Sequence, residues 1–377
     1  MAGAISFLII FLLLFQIGSI TKGAHASETA VAQSKPSYTT ILKQPVDAPY
    51  YTVRNSIRKI RPNTGIVITR GMSAVVGFVS IGLFYALVSL WYRPRVAILG
   101  TILYATSNWL LRNSRLGLPE IQQALVLALI FLPAWLKRTR HRQLAIFAAV
   151  AAVAYLLYVP GLIWFIMLGF IWRAKDLLQD VKSMANLTLV LLGIFLLIIV
   201  SPLMYSIFND PLVLLRLAGI PEHISLSGII HNFTSIPLRL FVRSDPNGIW
   251  SVGYMPILDV FTSMMVIVGT IDTWNTRKLD RSKITLGMLF LAFVLSCLGG
   301  NVLLTIMLPP IYLLVTAGIS YMLNEWFRVF PKNPLARTSA TIMITIAVLI
   351  AAAYQVTNYF IAWPNTASTK SAFSQRY

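Results

Sequence analysis

The sequence predicts an all-α, polytopic membrane protein of about eleven transmembrane helices, on three observations. Hydrophobic residues make up 57% of the 377-residue chain, charged residues only 11%, and the mean hydropathy is +0.74. Apolar runs of membrane-spanning length recur from one end to the other. These runs are continuous rather than alternating, and a backbone without water must close its own hydrogen bonds, so helices are expected rather than barrel strands.

The expected spans are 4–20, 71–92, 96–111, 118–136, 143–157, 160–172, 186–208, 255–273, 284–299, 302–323 and 338–360. One set of short connections is basic: Arg93 and Arg95; Lys137, Arg138, Arg140 and Arg142; Arg173, Lys175 and Lys182; Arg277, Lys278, Arg281 and Lys283; Arg328, Lys332 and Arg337. These alternate with connections that are nearly uncharged, at Val159-Pro160-Gly161 and Gly299-Gly300-Asn301, or long, at 21–70 and 209–254. Short basic loops stay cytoplasmic, so both long loops are expected outside, the amino terminus inside and the carboxyl terminus outside a cytoplasmic membrane. Residues 1–360 read as one transmembrane domain and 361–377 as a polar external tail.

Trp91, Tyr92, Trp135, Trp172, Trp274 and Trp326 fall near the expected cytoplasmic ends, where amphipathic rings favour the headgroup layer. Pro309-Pro310 inside the tenth span is expected to kink it. Residues 5–20 followed by Ala24-His25-Ala26 also fit a cleaved signal peptide, which would leave Ser27-Glu28 at a new amino terminus. Against cleavage, no Lys or Arg precedes the apolar run.

The chain holds 31 Lys plus Arg against 12 Asp plus Glu, a net charge of +19. The basic residues cluster between apolar runs, so membrane lipids rather than nucleic acid are the expected partner. Cys297 has no second cysteine to pair with and reads as a packing residue. No glycine-rich phosphate loop, nucleotide motif or cofactor signature appears, and His223 with His231 does not make a metal-ligand set.

The first long loop carries Glu28 near its start, in the first turn of a short helix that Ser27 would begin. Asp47-Ala48-Pro49 offers an N-cap and an early proline for a helix from about 48 to 61, stopped by Pro62-Asn63-Thr64-Gly65. On that helix Val53, Ile57 and Ile60 form one stripe and Arg54, Arg58 and Arg61 a neighbouring one, the pattern of an interfacial amphipathic helix. The arginines suit either anchoring to anionic headgroups or cradling the phosphate of a lipid-linked substrate. A second constellation, SRLGLPE at 114–120, places Arg115 and Glu120 at the membrane edge, where charges tend to pair or to serve function. Pro119 followed by an acid is also an ordinary helix start.

The strings GAHASETAVAQS at 23–34, TRGMSAVVGFVSIGLFYALV at 69–88, ATSNWLLRNSRLGLPEIQ at 105–122, YVPGLIWF at 158–165, GYMPILD at 253–259 and LPPIYLLVTAGI at 308–319 occur in order around the spans. Through them the chain resembles class C glycosyltransferases, the group that includes protein O-mannosyltransferases and bacterial aminoarabinose transferases. The resemblance implies transfer of a sugar from a polyprenyl-phosphate donor to an envelope glycan, lipid or protein at the outer face. It puts Glu28 in the place of a general base on the acceptor hydroxyl, and Arg70, Arg115 and Glu120 in substrate-binding positions. Arg54, Arg58, His231 and Asn232 are further substrate-binding candidates, the last two in the loop at 209–254 that would cover the cavity. The chain departs from the group's pattern in having Ser27-Glu28 where two adjacent acids are usual, and Glu120 where the second site is often Asp.

Two other readings remain open at this stage. A lipid or polysaccharide transporter would also have many spans, but would place ionisable residues near mid-membrane, whereas these lie at the ends. A catalytically degenerate relative that binds lipid-linked sugar would account for Ser27 standing where an acid is usual.

Overall fold

The computed structural model describes residues 2–21, 23–34, 36–61, 65–136, 139, 142–182, 184, 186–245 and 247–375. The expected basic-loop residues Lys137, Arg138 and Arg140, and the helix stop at Pro62-Asn63-Thr64, lie outside the described residues. The fold is all-α: apart from one antiparallel bridge between Ala24 and Gln375, no strand occurs among the described residues.

In chain order the helices are α1 (Ala2–Leu14), α2 (Ala26–Gln33), α3 (Tyr38–Lys43), α4 (Ala48–Ile60), α5 (Gly65–Trp91), α6 (Pro94–Thr106) and α7 (Asn108–Arg115). A 3-10 stretch, Pro119–Val126, leads into α8 (Leu127–Leu136), followed by α9 (Arg142–Leu156), α10 (Leu162–Lys182), α11 (Asn186–Asn209), α12 (Leu212–Leu217) and α13 (Leu226–Phe241). Then come α14 (Val260–Asn275), α15 (Asp280–Gly299), a second 3-10 stretch (Gly300–Met307), α16 (Leu308–Val329) and α17 (Pro334–Thr357). A π-helical turn, Asn358–Ala362, connects α17 to α18 (Trp363–Asn365) and α19 (Ala367–Ala372).

Every expected apolar run contains helix, yet among the described residues six helices, not eleven, are long and apolar enough to cross a membrane. They are Gly65–Trp91, Pro119–Leu136, Asn186–Asn209, Asp280–Gly299, Leu304–Val329 and Pro334–Asn365. At 1.5 Å per residue the 13-residue α1 and α6 and the 15-residue α9 reach roughly 20 Å, short of a hydrocarbon core of about 30 Å. The run at 96–111 is interrupted because Ser107 leaves the helix and caps α7, its Oγ accepting the Leu110 N–H.

Pro309 and Pro310 lie where the second 3-10 stretch gives way to α16. They occupy the first turn of α16, where a missing N–H leaves no hydrogen bond broken. The spanning window of α16 is 89% buried and that of α11 only 6%, so α16 is the central post and α11 faces outward. α14 packs along α16 at two facing glycines: a Cβ on Gly269 would lie 1.9 Å from the Leu314 carbonyl oxygen, and one on Gly318 2.3 Å from that of Met265. The backbones touch there, as membrane helices do where small residues meet.

The two ends of the bundle differ. At one, Trp91, Trp274 and Trp326 gather with Arg277, Arg281 and Arg337; Arg277 stacks on Trp274, and Arg281 donates to the Trp91 carbonyl. At the other, the long connections meet: the Asp47 N–H donates to the Tyr158 carbonyl, the Gly161 N–H to that of Leu217, and the Ser206 hydroxyl to that of Leu42. The segment after residue 360 is no loose tail. Trp363 and Phe373 are buried, Trp363 Nε1 donates to the Gly248 carbonyl at 2.9 Å, and the Ala24 N–H donates to the Gln375 carbonyl.

Replacing Gly269 by Ala is expected to destabilise the protein by about 3 kcal/mol through overpacking. The control Gly82→Ala, where nothing stands within 4 Å, is expected to be neutral or slightly stabilising. Melting both in detergent tests this; equal melting temperatures would show that α14 and α16 do not pack this way.

Candidate functional site

Glu28 is the hub of the loop-bearing end. It sits at the third position of α2, where an acid complements the helix N-terminus, and its Oε2 accepts the His25 N–H at 3.3 Å. Arg70, in the second turn of α5, grips it with two bonds, Nε to Oε1 and Nη2 to Oε2, both 2.9 Å. The Gly117 N–H adds a fourth donor to Oε1 at 3.0 Å. Glu28 is 0% exposed and Arg70 1%, so the pair is a buried bidentate clamp whose carboxylate is surrounded by donors.

Arg70 also donates to the Ile17 carbonyl and to the Thr21 hydroxyl. One ion pair therefore joins the segment after α1 to α2, α5 and the turn after α7. Gly117 in SRLGLPE makes the last join possible, since a Cβ there would stand 2.5 Å from Thr69 Oγ1.

The far end of α2 is held by the basic stripe. Arg54, 2% exposed, donates to the carbonyls of Val31 and Ser34 and to the Ser34 hydroxyl at 2.9 Å; Arg58 donates to the Ala32 carbonyl at 3.1 Å. Helix α4 thus turns its arginines inward to the carbonyl end of α2 and leaves Val53 and Ile60 exposed. In this arrangement Arg54 and Arg58 cap a helix rather than lining an open surface.

Asp47 also turns inward. It holds a left-handed backbone (φ 54°) before α4 but caps nothing; its Oδ1 accepts Gln122 Nε2 at 3.0 Å, and the Tyr155 hydroxyl donates to Gln122 Oε1. Burial pushes its pKa up to about 8, and the nearby charge of Glu120 adds to the rise. Glu120 lies with this acid, so it does not join Glu28, Arg70 and Arg115 in one cluster.

Arg115 does. Its guanidinium donates to the carbonyls of Leu12 and Phe15 and lies 5.2 Å over the Tyr359 ring and 4.8 Å over that of Phe360. Glu28, Arg70, Arg112 and Arg115 all stand close enough to Tyr359 to act on it electrostatically. Arg112, one turn back on α7 and 3% exposed, packs 5.4 Å from the Trp363 ring and has no hydrogen bond or carboxylate partner among the described residues.

Beyond Arg112 opens a cavity of about 100 Å³, walled by Trp109, Arg239, Asp245, Trp250 and Thr305. Arg239 and Asp245 close one side with an ion pair of 2.5 Å, Asp245 being 68% exposed. A narrow crevice continues between Trp109, Trp250, Asn108 and Asn358. His231 is exposed on α13 and Asn232 donates to the Cys297 carbonyl at 3.0 Å; neither lines the cavity. Among the described residues no three His, Cys, Asp or Glu side chains group as metal ligands.

No family model, curated protein or solved structure matches the chain. Of the four positions that the sequence resemblance implies, Glu28, Arg70, Arg115 and Glu120, the fold brings the first three to one place around Tyr359 and leaves Glu120 beside Asp47; Arg112 is not among them. The signal for Arg112 lies in NWLLRNSR: Asn108, Arg112 and Arg115 fall on one face at i, i+4 and i+7.

Glu28→Gln and Arg70→Met are each expected to cost about 3–5 kcal/mol, because each strands a buried charge, and the double variant less than the sum of the two. Denaturation of the four proteins in detergent tests this; additive losses would mean that the pair is not coupled.

In an unfolded chain the Asp47 carboxyl ionises near 3.8, but in the fold near 8, so between these values the folded state holds a proton that the unfolded state has released. Stability is therefore expected to be highest below that window and to fall by up to about 1.4 kcal/mol per pH unit across it. Asp47→Asn keeps the left-handed residue and the acceptor for Gln122, and is expected to remove this dependence. Equal pH slopes of melting for parent and variant would contradict the assignment.

Proposed function

We propose that the chain is a multi-pass glycosyltransferase of the cytoplasmic membrane. It moves a sugar from a polyprenyl-phosphate donor to an envelope glycan, lipid or protein acceptor at the outer face. In this reading the amino terminus lies inside and both long loops outside.

The observation that supports it is the gathering of Arg70, Arg112 and Arg115 about Tyr359 with one carboxylate among the described residues, Glu28. An excess of buried positive charge is costly without an anion, and a phosphate delivered from the bilayer supplies one. The same charges suit the reaction. As the acceptor oxygen bonds to the anomeric carbon, the bond from that carbon to the phosphate oxygen breaks and the phosphate leaves with the electron pair, its charge met by guanidinium groups.

The proton of the acceptor hydroxyl needs a base with a free lone pair. Glu28 serves only if ligand entry loosens its four donors. That closed state favours a second reading, a relative that binds lipid-linked sugar without transferring it.

Reconstituted protein, offered farnesyl-phosphoryl arabinose, mannose and glucose with envelope extracts as acceptors, separates the two. Label passing to an acceptor, and lost in Glu28→Gln samples whose folded fraction is matched by melting, is the expected result. Donor binding without transfer for all three sugars would overturn the transferase reading in favour of the second.

A further inference from the structure

We propose that the crevice and cavity around Arg112 form a binding site for a glycosyl phosphate, with Arg112 taking the phosphate and Asn108 and Asn358 taking sugar hydroxyls. Its lipid-linked form rests on the function proposed above; the site itself rests on three buried atoms that lack partners. Arg112 Nε, Asn108 Oδ1 and Asn358 Oδ1 are all buried without a hydrogen bond among the described residues; their residues are 3%, 7% and 9% exposed and line the same crevice. Buried polar groups are nearly always satisfied, so three together on one opening mark a place for something else to bind.

Their chemistry specifies the ligand. A guanidinium donates and so calls for an oxyanion, whereas amide oxygens accept and call for hydroxyl donors. Inorganic phosphate satisfies the first and a neutral sugar the second; a sugar carrying phosphate satisfies both. Trp109 and Trp250 flank the crevice with apolar faces of the kind that cover sugar rings. Asn358 owes its position to the π-helical turn that begins with it, a distortion that often marks functional sites. The next residue, Tyr359, faces Arg115, so the same turn links the crevice to the Glu28–Arg70 clamp.

The test uses the full chain in phosphatidylcholine nanodiscs, with tryptophan fluorescence and calorimetry as readouts. Glucose 1-phosphate is expected to bind at least tenfold more tightly than inorganic phosphate or glucose. Arg112→Gln is expected to abolish that preference and Arg112→Lys to retain part of it. Asn108→Asp provides a decisive second variant, because a carboxylate four residues before Arg112 on the same helix supplies the missing anion from within. It is expected to raise the melting temperature and to lose glucose 1-phosphate binding. Equal affinity for glucose 1-phosphate and inorganic phosphate, or unchanged binding in Asn108→Asp and Arg112→Gln, would overturn the site.

Farnesyl-phosphoryl glucose placed in the disc identifies the source: competition with glucose 1-phosphate assigns the site to a lipid-linked ligand, its absence to a soluble one, and each agrees with the site. Binding without sugar transfer leaves the site standing and defeats the transferase reading. Transfer that survives Arg112→Gln with unchanged donor dependence defeats the site alone.

Discussion

The fold of the loop-bearing end depends on one buried ion pair. Glu28 and Arg70 are 42 residues apart in sequence, and between them they hold the segment after α1, the start of α2, the start of α5 and the turn after α7. Such a pair adds little net stability over apolar packing of the same shape. Its effect is directional: each carboxylate oxygen has assigned donors, so α2 has one seat and one orientation. The arginines of α4 then hold the other end of α2, so this helix of the first loop is tied down at both ends.

Much of the helix inventory was legible because apolar runs in a membrane have few alternatives to helix. Their length as spans was not, because a run of hydrophobic residues does not reveal where a serine such as Ser107 turns the chain. The stripe on α4 was legible as a period but not as a direction. Alternation of arginine and valine says that two faces differ, and only the carbonyl end of α2 decides which face turns inward. Asp47 misled in the same way, since its place before a helix suggested a cap while the carboxyl found Gln122 instead.

The candidate site divides along similar lines. Glu28, Arg70 and Arg115 were visible through their strings, and their convergence follows from short links between helix ends. Arg112 was hidden because a cation near the end of an apolar helix reads as a boundary marker. What distinguishes it is a buried Nε with no hydrogen-bond partner among the described residues, a property of the packed molecule that no spacing rule reports. The residues after 360 were hidden by composition: serine, threonine and asparagine suggest a solvated tail, yet here they cap short helices and bond to the Gly248 carbonyl.

That last segment bears on how the protein is made. Ala24 leaves the ribosome well over three hundred residues before its bridge partner Gln375, while Arg70 follows Glu28 after only 42. Chains form their early parts first during synthesis. The clamp is therefore available to seat α2 before α6 is made, whereas the packing of Trp363 against Gly248 and Arg112 must wait for the residues after 360. The charged hub thus precedes in synthesis the contact that covers Arg112 from the other side.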